Sequence, residues 1–370
     1  MDFSRTEASD DLGGLVRTIT ESVCTPEHQR ELDGLDTRFD RDLWAKLVDA
    51  DILSAAAPEA LGGGGYGVLE QTAVLEALGR QLAAVPYLES AVLAAGALAK
   101  FGSEALQQDW AVPAINGSKV LTVALAGDMG EGPVQAAGSA ADGYRLTGTR
   151  TQLAYGPVAD AFVVPAETGS GTTVFIVAAA DPGVTVTPLN TTGHGSVAHL
   201  ELAGTTVGAD RVVGGVGEGN SVVDWLRTHQ TLGLSAFQLG ILARALELTA
   251  EYAREREQFD RPIGSFQAVA QRLADGYIDI KGLRLTLTQA AWRLAEDLPS
   301  DVDVRTAAFW AAEAGHRVAH TTVHVHGGVG IDTDHPVHRY FLAAKQTEFA
   351  VGGATGQLLA IGRELADTPV

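Results

Sequence analysis

YAREREQFDRPIGSFQAVAQRLAD, residues Tyr252–Asp275, gathers Arg254, Arg256, Arg261 and Arg272 in a chain whose formal net charge is −20. Before it, Leu234, Phe237, Ile241, Ala245, Leu248 and Tyr252 step by three and four, the spacing of one helix face. After it, Leu273, Ile280, Leu283, Leu287 and Leu294 mark a second helix, and residues 303–325 and 343–366 read as a third and a fourth. The arginine-rich stretch therefore stands inside a four-helix bundle that takes in residues 219–370.

Towards the N-terminus the period changes. KVLTVALAG, GYRLTGTRTQL, DAFVVPA, TTVFIVAA, VTVTPL and HLELAGTTV are short, β-branched and separated by Gly, Pro or Asp. Their spacing predicts an antiparallel β domain over residues 119–218, a barrel or a sandwich. VGGVGEGN follows as a hinge, too irregular for a dinucleotide fingerprint. Residues 1–118 are helical in pattern, with Phe39, Leu43, Leu47 and Ile52 in one helix and Val68, Val74, Leu75, Leu78 and Leu82 in another. The glycines of APEALGGGGYG are not followed by Gly-Lys-Ser/Thr, so they read as a flexible turn and not a phosphate loop. The expected fold class is α+β, in three domains: 1–118 helical, 119–218 β, and 219–370 a helical bundle.

Bulk composition narrows the partners. A charge of −20 repels nucleic acid and anionic membrane alike, but leaves room for a small anion where positive charge is concentrated. Cys24 is the only cysteine, which excludes an internal disulfide and a cysteine-rich zinc or iron–sulfur site. No uninterrupted apolar run is long enough to cross a bilayer, and the acidic start MDFSRTEASDDLGG does not read as a secretory signal. A cytoplasmic location is expected.

Helices, a small β domain and a helical bundle, in that order, resemble the acyl-CoA dehydrogenases. The likeness covers nearly the whole chain and is sharpest at two motifs. Tyr252–Asp275 is close to that family's Arg-x-Gln-Phe-Gly-x-Pro-Ile…Phe-Gln…Leu-Ala-Asp, and HVHGGVGIDTDHPVHRY is close to its Gln-x-His-Gly-Gly-x-Gly-Tyr…Pro…Arg. Weaker echoes are PEALGGGGYG and LTGTRTQLAYGPVADAFVV. The resemblance implies FAD lying across a subunit interface, with these motifs holding its pyrophosphate and adenosine end. Carried over residue by residue, it assigns cofactor contacts to Arg256, Gln258, Phe259, Gln267, His324, Gly327 and Gly328. Arg256 offers a fixed positive fork for a diphosphate. Phe259 offers a flat apolar contact, Gln258 and Gln267 offer amides, and Gly327 and Gly328 allow close backbone approach.

HRVAHTTVHVHGGVG, His316–Gly330, also repeats histidine every four residues at 316, 320 and 324. No further ligand stands at an obvious spacing, so the glycines are read as the functional feature and no metal is assigned.

The family removes an α-proton with a glutamate, and here neither of its known positions holds one. Gly353, in GATGQ, occupies the usual place, and Gln230, twenty-six residues before Arg256, occupies the alternative. The side that would cover the flavin ring departs too: VALAGDMGEGPVQAA replaces Thr-Glu-Pro…Gly-Ser-Asp, and Gln152 and Ala154 stand for the tryptophan and threonine of Trp-Ile-Thr-Asn. No catalytic residue is therefore assigned.

An intact nucleotide side beside a missing ring side implies a shared site. The resemblance is to β-type, base-lacking subunits of mycobacterial α2β2 acyl-CoA dehydrogenases of cholesterol side-chain degradation. It implies a glutamate-bearing α subunit as partner, FAD shared with it, and a steroid-CoA substrate bound mainly by that partner. Two alternatives stay open: a self-sufficient homotetramer using another base, with Glu348 the best placed, or a flavin-free scaffold.

Overall fold

The computed structural model describes residue 3, residues 5–127 and residues 129–367. The first part of the chain is helical: α1 (Glu7–Val23), α2 (Pro26–Asp33), α3 (Arg41–Asp49), α4 (Val68–Arg80), then α5 (Ala95–Phe101), α6 (Glu104–Leu106) and α7 (Val112–Ile115). A π-helical segment, Tyr87–Ala94, leads into α5. Thr6 and Asp40 cap α1 and α3, each side chain accepting a backbone N–H of the first turn. Of the apolar residues at helical spacing, Phe39, Leu43, Leu47, Ile52, Val74, Leu75, Leu78 and Leu82 are buried, and Val68 is half-buried.

Strands follow as β1 (Leu121–Val123), β2 (Val134–Ser139), β3 (Gly143–Ala154), β4 (Ala161–Thr168), β5 (Gly171–Ala178), β6 (Val184–Leu189), β7 (Val197–Val207) and β8 (Val212–Val213). They form one eight-stranded sheet in the order β6-β7-β3-β2-β4-β5-β8, with β1 on β4. Antiparallel pairing was expected throughout; instead β1 and β2 both run parallel to β4. Parallel neighbours need a long crossover, so no local turn signal announces them. Inward residues of separate strands share one core, among them Tyr144, Leu146, Phe162, Phe175, Leu200 and Leu202. Tyr144 and Phe175 belong to strands that are not neighbours in the sheet, yet their rings lie 5.1 Å apart, so the sheet curls round this core.

Helices resume with α8 (Gly219–Glu255), then α9 (Gln267–Ala295), α10 (Asp301–His326), α11 (Val337–Ala350) and α12 (Gly353–Asp367). Between α8 and α9 stands a hairpin of β9 (Glu257–Gln258) and β10 (Arg261–Pro262). The stretch expected as one fourth helix is two, α11 and α12, separated by Val351 and Gly352. At 37 residues α8 is long and apolar enough, by length and composition, to cross a membrane. More than half of its most apolar window (56%) is packed inside the protein, as in the core helix of a globular fold.

By packing, the chain forms two compact units that cut across the three expected domains: residues 1–26, 68–83 and 231–370 make one, and residues 27–67 and 84–230 the other. The first is organised by backbone contact between α4 and α8. A Cβ built on Gly79 would lie 2.1 Å from the Phe237 carbonyl oxygen, and one on Gly240 would lie 2.0 Å from that of Glu76. Buried Gln238, between these two contact points, donates Nε2–H to the Ala311 carbonyl of α10 (3.2 Å) and the Ala344 carbonyl of α11 (3.0 Å). Asp279 of α9 forms a two-bond ion pair with Arg317 of α10. Glu76 of α4, almost fully buried, is held by Arg5 and by Arg284 of α9.

Gly79→Ala and Gly240→Ala should each destabilise the chain by about 1–3 kcal/mol, the usual cost of overpacking, because backbone faces backbone at both points. Chemical denaturation of the single variants checks this; an unchanged midpoint would show that the helices separate freely.

Candidate functional site

The residues assigned from the sequence to a nucleotide lie in the first compact unit, on or beside two connections, α8 to α9 and α10 to α11. At the end of α8, the Arg256 N–H donates to the Tyr252 carbonyl (2.8 Å), and the chain enters the β9–β10 hairpin. The Ile263 N–H closes the hairpin by donating to the Arg256 carbonyl (2.8 Å). Phe259 and Asp260 form its two-residue turn with φ of +56° and +62°. Such a turn favours Asn-Gly, and a bulky residue held in this region costs roughly 1–2 kcal/mol. The strain sets Phe259 at a tip where it is 86% exposed, touched by Phe266 edge-on at 6.1 Å.

Of the four clustered arginines, Arg261 is spent within the chain, its guanidinium 4.0 Å above the Phe266 ring. Arg256 is exposed and makes no ion pair among the described residues, with Glu255 or any other acid. Gln258 turns its amide back to the Glu257 carbonyl (2.8 Å). Gln267 is the first residue of α9 and is exposed.

The second motif closes α10. His326 is buried, its Nδ1 bonded to the Thr322 carbonyl at 2.8 Å, and its ring stacks on Tyr252 at 4.4 Å between centroids. Burial, and then neighbouring His335, lowers its pKa, so the ring is neutral near pH 7 and Nδ1 carries the donated hydrogen. Gly327 adopts φ +61° and ψ −137°, open only to glycine, and its N–H donates back to Val323 and His324 carbonyls. That corrects one expectation: the Gly327 amide is used to end its own helix and is not available to an anion. A Cβ on Gly327 or Gly328 would meet nothing within 4 Å, so the outer side of this turn is open surface.

The Tyr252–His326 stack joins the two motifs, one turn before Arg256 on one side and next to Gly327 on the other. Arg256, Gln258, Phe259, Gln267, His324, Gly327 and Gly328 are all exposed. An unpaired guanidinium, an aromatic ring on a strained tip and an open glycine turn fit a flat anionic ligand such as the ADP end of FAD, once a second surface covers it.

The two base positions are explicit in the structure. Gly353 opens α12 with φ +68°, directly after Gly352 at +86°. A glutamate there would be strained as well as newly introduced. Gln357 is tied to the α11–α12 turn through the Val351 carbonyl. Glu348, the alternative base, is held by Lys345 (2.5 Å), with His316 Nδ1 3.4 Å from its other oxygen. The His316 ring therefore belongs to a Lys345–Glu348 cluster, with His320 beside it at 4.5 Å. Among the described residues no group of three potential ligands surrounds a metal position.

Gln230 lies in the second compact unit, in a cleft also lined by Gln152, Ala154, Thr122, Val123 and Arg227. The ring-side stretches thus still border an open space, although Asp128 of VALAGDMGEGPVQAA lies outside the described residues. The same cleft contains Glu89, which sequence reasoning missed. Loss of water pushes its carboxyl up to about 7, against a bond from its own backbone N–H. In sequence, Glu89 sits in YLES, with nothing to separate it from a surface helix residue.

A raised carboxyl pKa means the folded state keeps a proton that the unfolded chain releases. The stability this group contributes is complete below about pH 4.5 and is lost as pH rises through about 7. Glu89→Gln should therefore raise the melting temperature at pH 8 and leave it nearly unchanged at pH 4.5. Equal shifts at both values would show that Glu89 is ordinarily solvated.

Comparison with known proteins agrees with this geometry. The description "Acyl-CoA dehydrogenase, N-terminal domain" matches residues 6–118, and "Acyl-CoA dehydrogenase, C-terminal domain" matches residues 217–366. The chain is 73% identical to acyl-CoA dehydrogenase FadE27 of Mycobacterium tuberculosis, over 100% of both chains. It is 31% identical to FadE28 of the same organism, over 91% of this chain and 97% of the relative. Among solved structures, a chain of the ChsE4–ChsE5 complex from Mycobacterium tuberculosis superimposes with a TM-score of 0.97 and 74% identity, covering 100% of each. A chain of a Tcur3481–Tcur3483 steroid ACAD variant gives 0.91 and 36%, covering 98% of each. Butyryl-CoA dehydrogenase from Megasphaera elsdenii gives 0.90 and 26%, covering 99% of this chain and 100% of that one. With its helical, mixed-sheet and helical parts in that order and both C-terminal motifs on one exposed surface, this chain belongs to the acyl-CoA dehydrogenase family.

Proposed function

We propose that this chain is the base-lacking, β-type subunit of a heteromeric FAD-dependent acyl-CoA dehydrogenase, paired with a glutamate-bearing relative as α2β2. The observation that carries the reading is an asymmetry within one polypeptide. The nucleotide-side residues stand exposed and underused, while Gly353 and Gln230 occupy both base positions. Similarity to a chain of the ChsE4–ChsE5 complex supports a paired assembly. Similarity to the Tcur3481–Tcur3483 steroid ACAD supports a steroid-CoA thioester, from cholesterol side-chain catabolism, as substrate. A cytoplasmic site of action is part of the same proposal.

In this reading Arg256 neutralises the FAD diphosphate through charge-assisted bonds, and Phe259 covers the adenosine end. Gln258, Gln267 and His324 supply polar contacts, and the open turn at Gly327 and Gly328 lets the cofactor lie against backbone. Tyr252 and His326 position both motifs without touching the cofactor. FAD held there would supply a hydride acceptor for the β-carbon of the thioester, and a partner glutamate would take the α-proton. Nothing in this chain takes a proton in that step. Its share is binding and orientation.

Purified alone, the chain should be colourless and inactive. Co-expressed with a glutamate-bearing relative, it should give a yellow complex with one flavin per pair of chains. A pure homo-oligomer that retains flavin and oxidises an acyl-CoA would sink the proposal in favour of a self-sufficient enzyme. In the complex, Arg256→Ala should weaken flavin binding by about 10–100-fold, the worth of roughly 1.5–3 kcal/mol for a charged hydrogen bond. Undiminished flavin retention would instead indicate a scaffold. Gly353→Glu should not create activity in the chain alone, because φ +68° opposes the side chain and the ring side remains changed.

A further inference from the structure

The cleft of the second compact unit holds polar groups that the protein leaves underused. Two backbone irregularities aim side chains into it. Glu89 sits in the π-helical segment Tyr87–Ala94, a form of helix frequent at functional sites. Gln152 sits in the break of the β3–β7 ladder between Arg150 and Leu153, with φ +56°. A bulge re-aims its side chain, and a strained residue in a cleft is a reason to look for a ligand. Arg227 and Gln230, three residues apart on α8, complete the lining. The side chains of Gln152, Arg227 and Gln230 make no hydrogen bond or ion pair among the described residues.

The chemistry of these groups selects the ligand. Among the described residues of the lining Arg227 is the one permanent charge, and it is positive. Both glutamines bring NH2 donors. Val123, Leu125 and Ala126 add apolar lining that suits an aliphatic tail. We propose that this cleft binds a small aliphatic carboxylate, its head taken by Arg227, Gln152 and Gln230, with Glu89 beside it. The proposal does not depend on the chain sharing a flavin.

Binding is then linked to a proton. Glu89 is half deprotonated near pH 7, and an anion beside it favours the acid form. Tyr155, after β3, feels the Glu89 charge, and burial keeps its hydroxyl protonated; Arg38 and Asp40 act on that same tyrosine. Among the described residues Arg227 is the remaining charged group in the lining. Affinity for a carboxylate should therefore fall about tenfold from pH 6 to pH 8 as Glu89 ionises.

Titration calorimetry of the full-length chain with sodium hexanoate, and with hexanamide as the uncharged probe, tests this. Hexanoate is expected to bind more tightly than hexanamide, with proton uptake near pH 7 and a tenfold loss by pH 8. Arg227→Ala, on an exposed residue, should weaken hexanoate about tenfold and leave hexanamide unaffected. Glu89→Gln should abolish the pH dependence while hexanoate still binds. Equal affinity for the two probes, no heat with hexanoate, or a pH slope that survives Glu89→Gln would each overturn the proposal. Flavin content, read from absorbance of the partner complex, reports separately on the shared-cofactor reading.

Discussion

Backbone contact between α4 and α8 is the constraint on which the helical unit rests. At Gly79 and Gly240 each helix presses on a carbonyl of the other, closer than any side chain would allow. Between those points Gln238 reaches the Ala311 and Ala344 carbonyls, tying α8 to α10 and α11 as well. The small residues of α10, Ala307, Ala308, Ala311, Ala312, Ala314 and Gly315, are what let it come near enough to accept. A buried amide in an apolar interior is tolerable only with partners, so these bonds specify one register among many that alanine-rich helices would otherwise permit.

Register matters because the motifs sit at the helix ends. Tyr252 on α8 and His326 on α10 stack only if the two helices end at matching heights. A shift of one residue along α8 would carry Tyr252 about 1.5 Å and rotate it about 100°, away from the imidazole. The strained Phe259 tip and the glycine turn after His326 thus reach the surface together because the interior leaves them no other place. That surface has aromatic area and an unpaired cation but no cover of its own.

The helices were legible wherever apolar residues repeat at three and four; Leu43, Leu47, Ile241, Ala245, Leu283 and Leu287 are buried as that pattern marks, whereas Leu234, Phe237, Leu248, Leu273 and Leu294 are only half-buried. The two C-terminal motifs were legible as well, because Arg256, Phe259 and the paired glycines form short runs with their own chemistry. Other features were not. The parallel pairing of β1 and β2 with β4 joins segments far apart in the chain, and strand composition carries no direction. The break at Val351–Gly352 lies inside a run of helix-compatible residues, where two adjacent left-handed glycines change the path. Gly327 was read as an amide for a ligand, whereas its N–H ends α10.

By itself, the order of residues determined which segments are helices and strands, which family they resemble, and that no acid stands at either base position. These properties depend on local spacing or on the identity of one side chain. Only the tertiary structure decided that Glu348 is held by Lys345, that the helical pattern folds as two units crossing the domain boundaries, and that Glu89 faces a cleft with Gln152, Arg227 and Gln230. The physical reason is desolvation. Whether a carboxyl is solvated, paired or left short of water depends on what packs around it from distant parts of the chain, and a linear sequence does not record that.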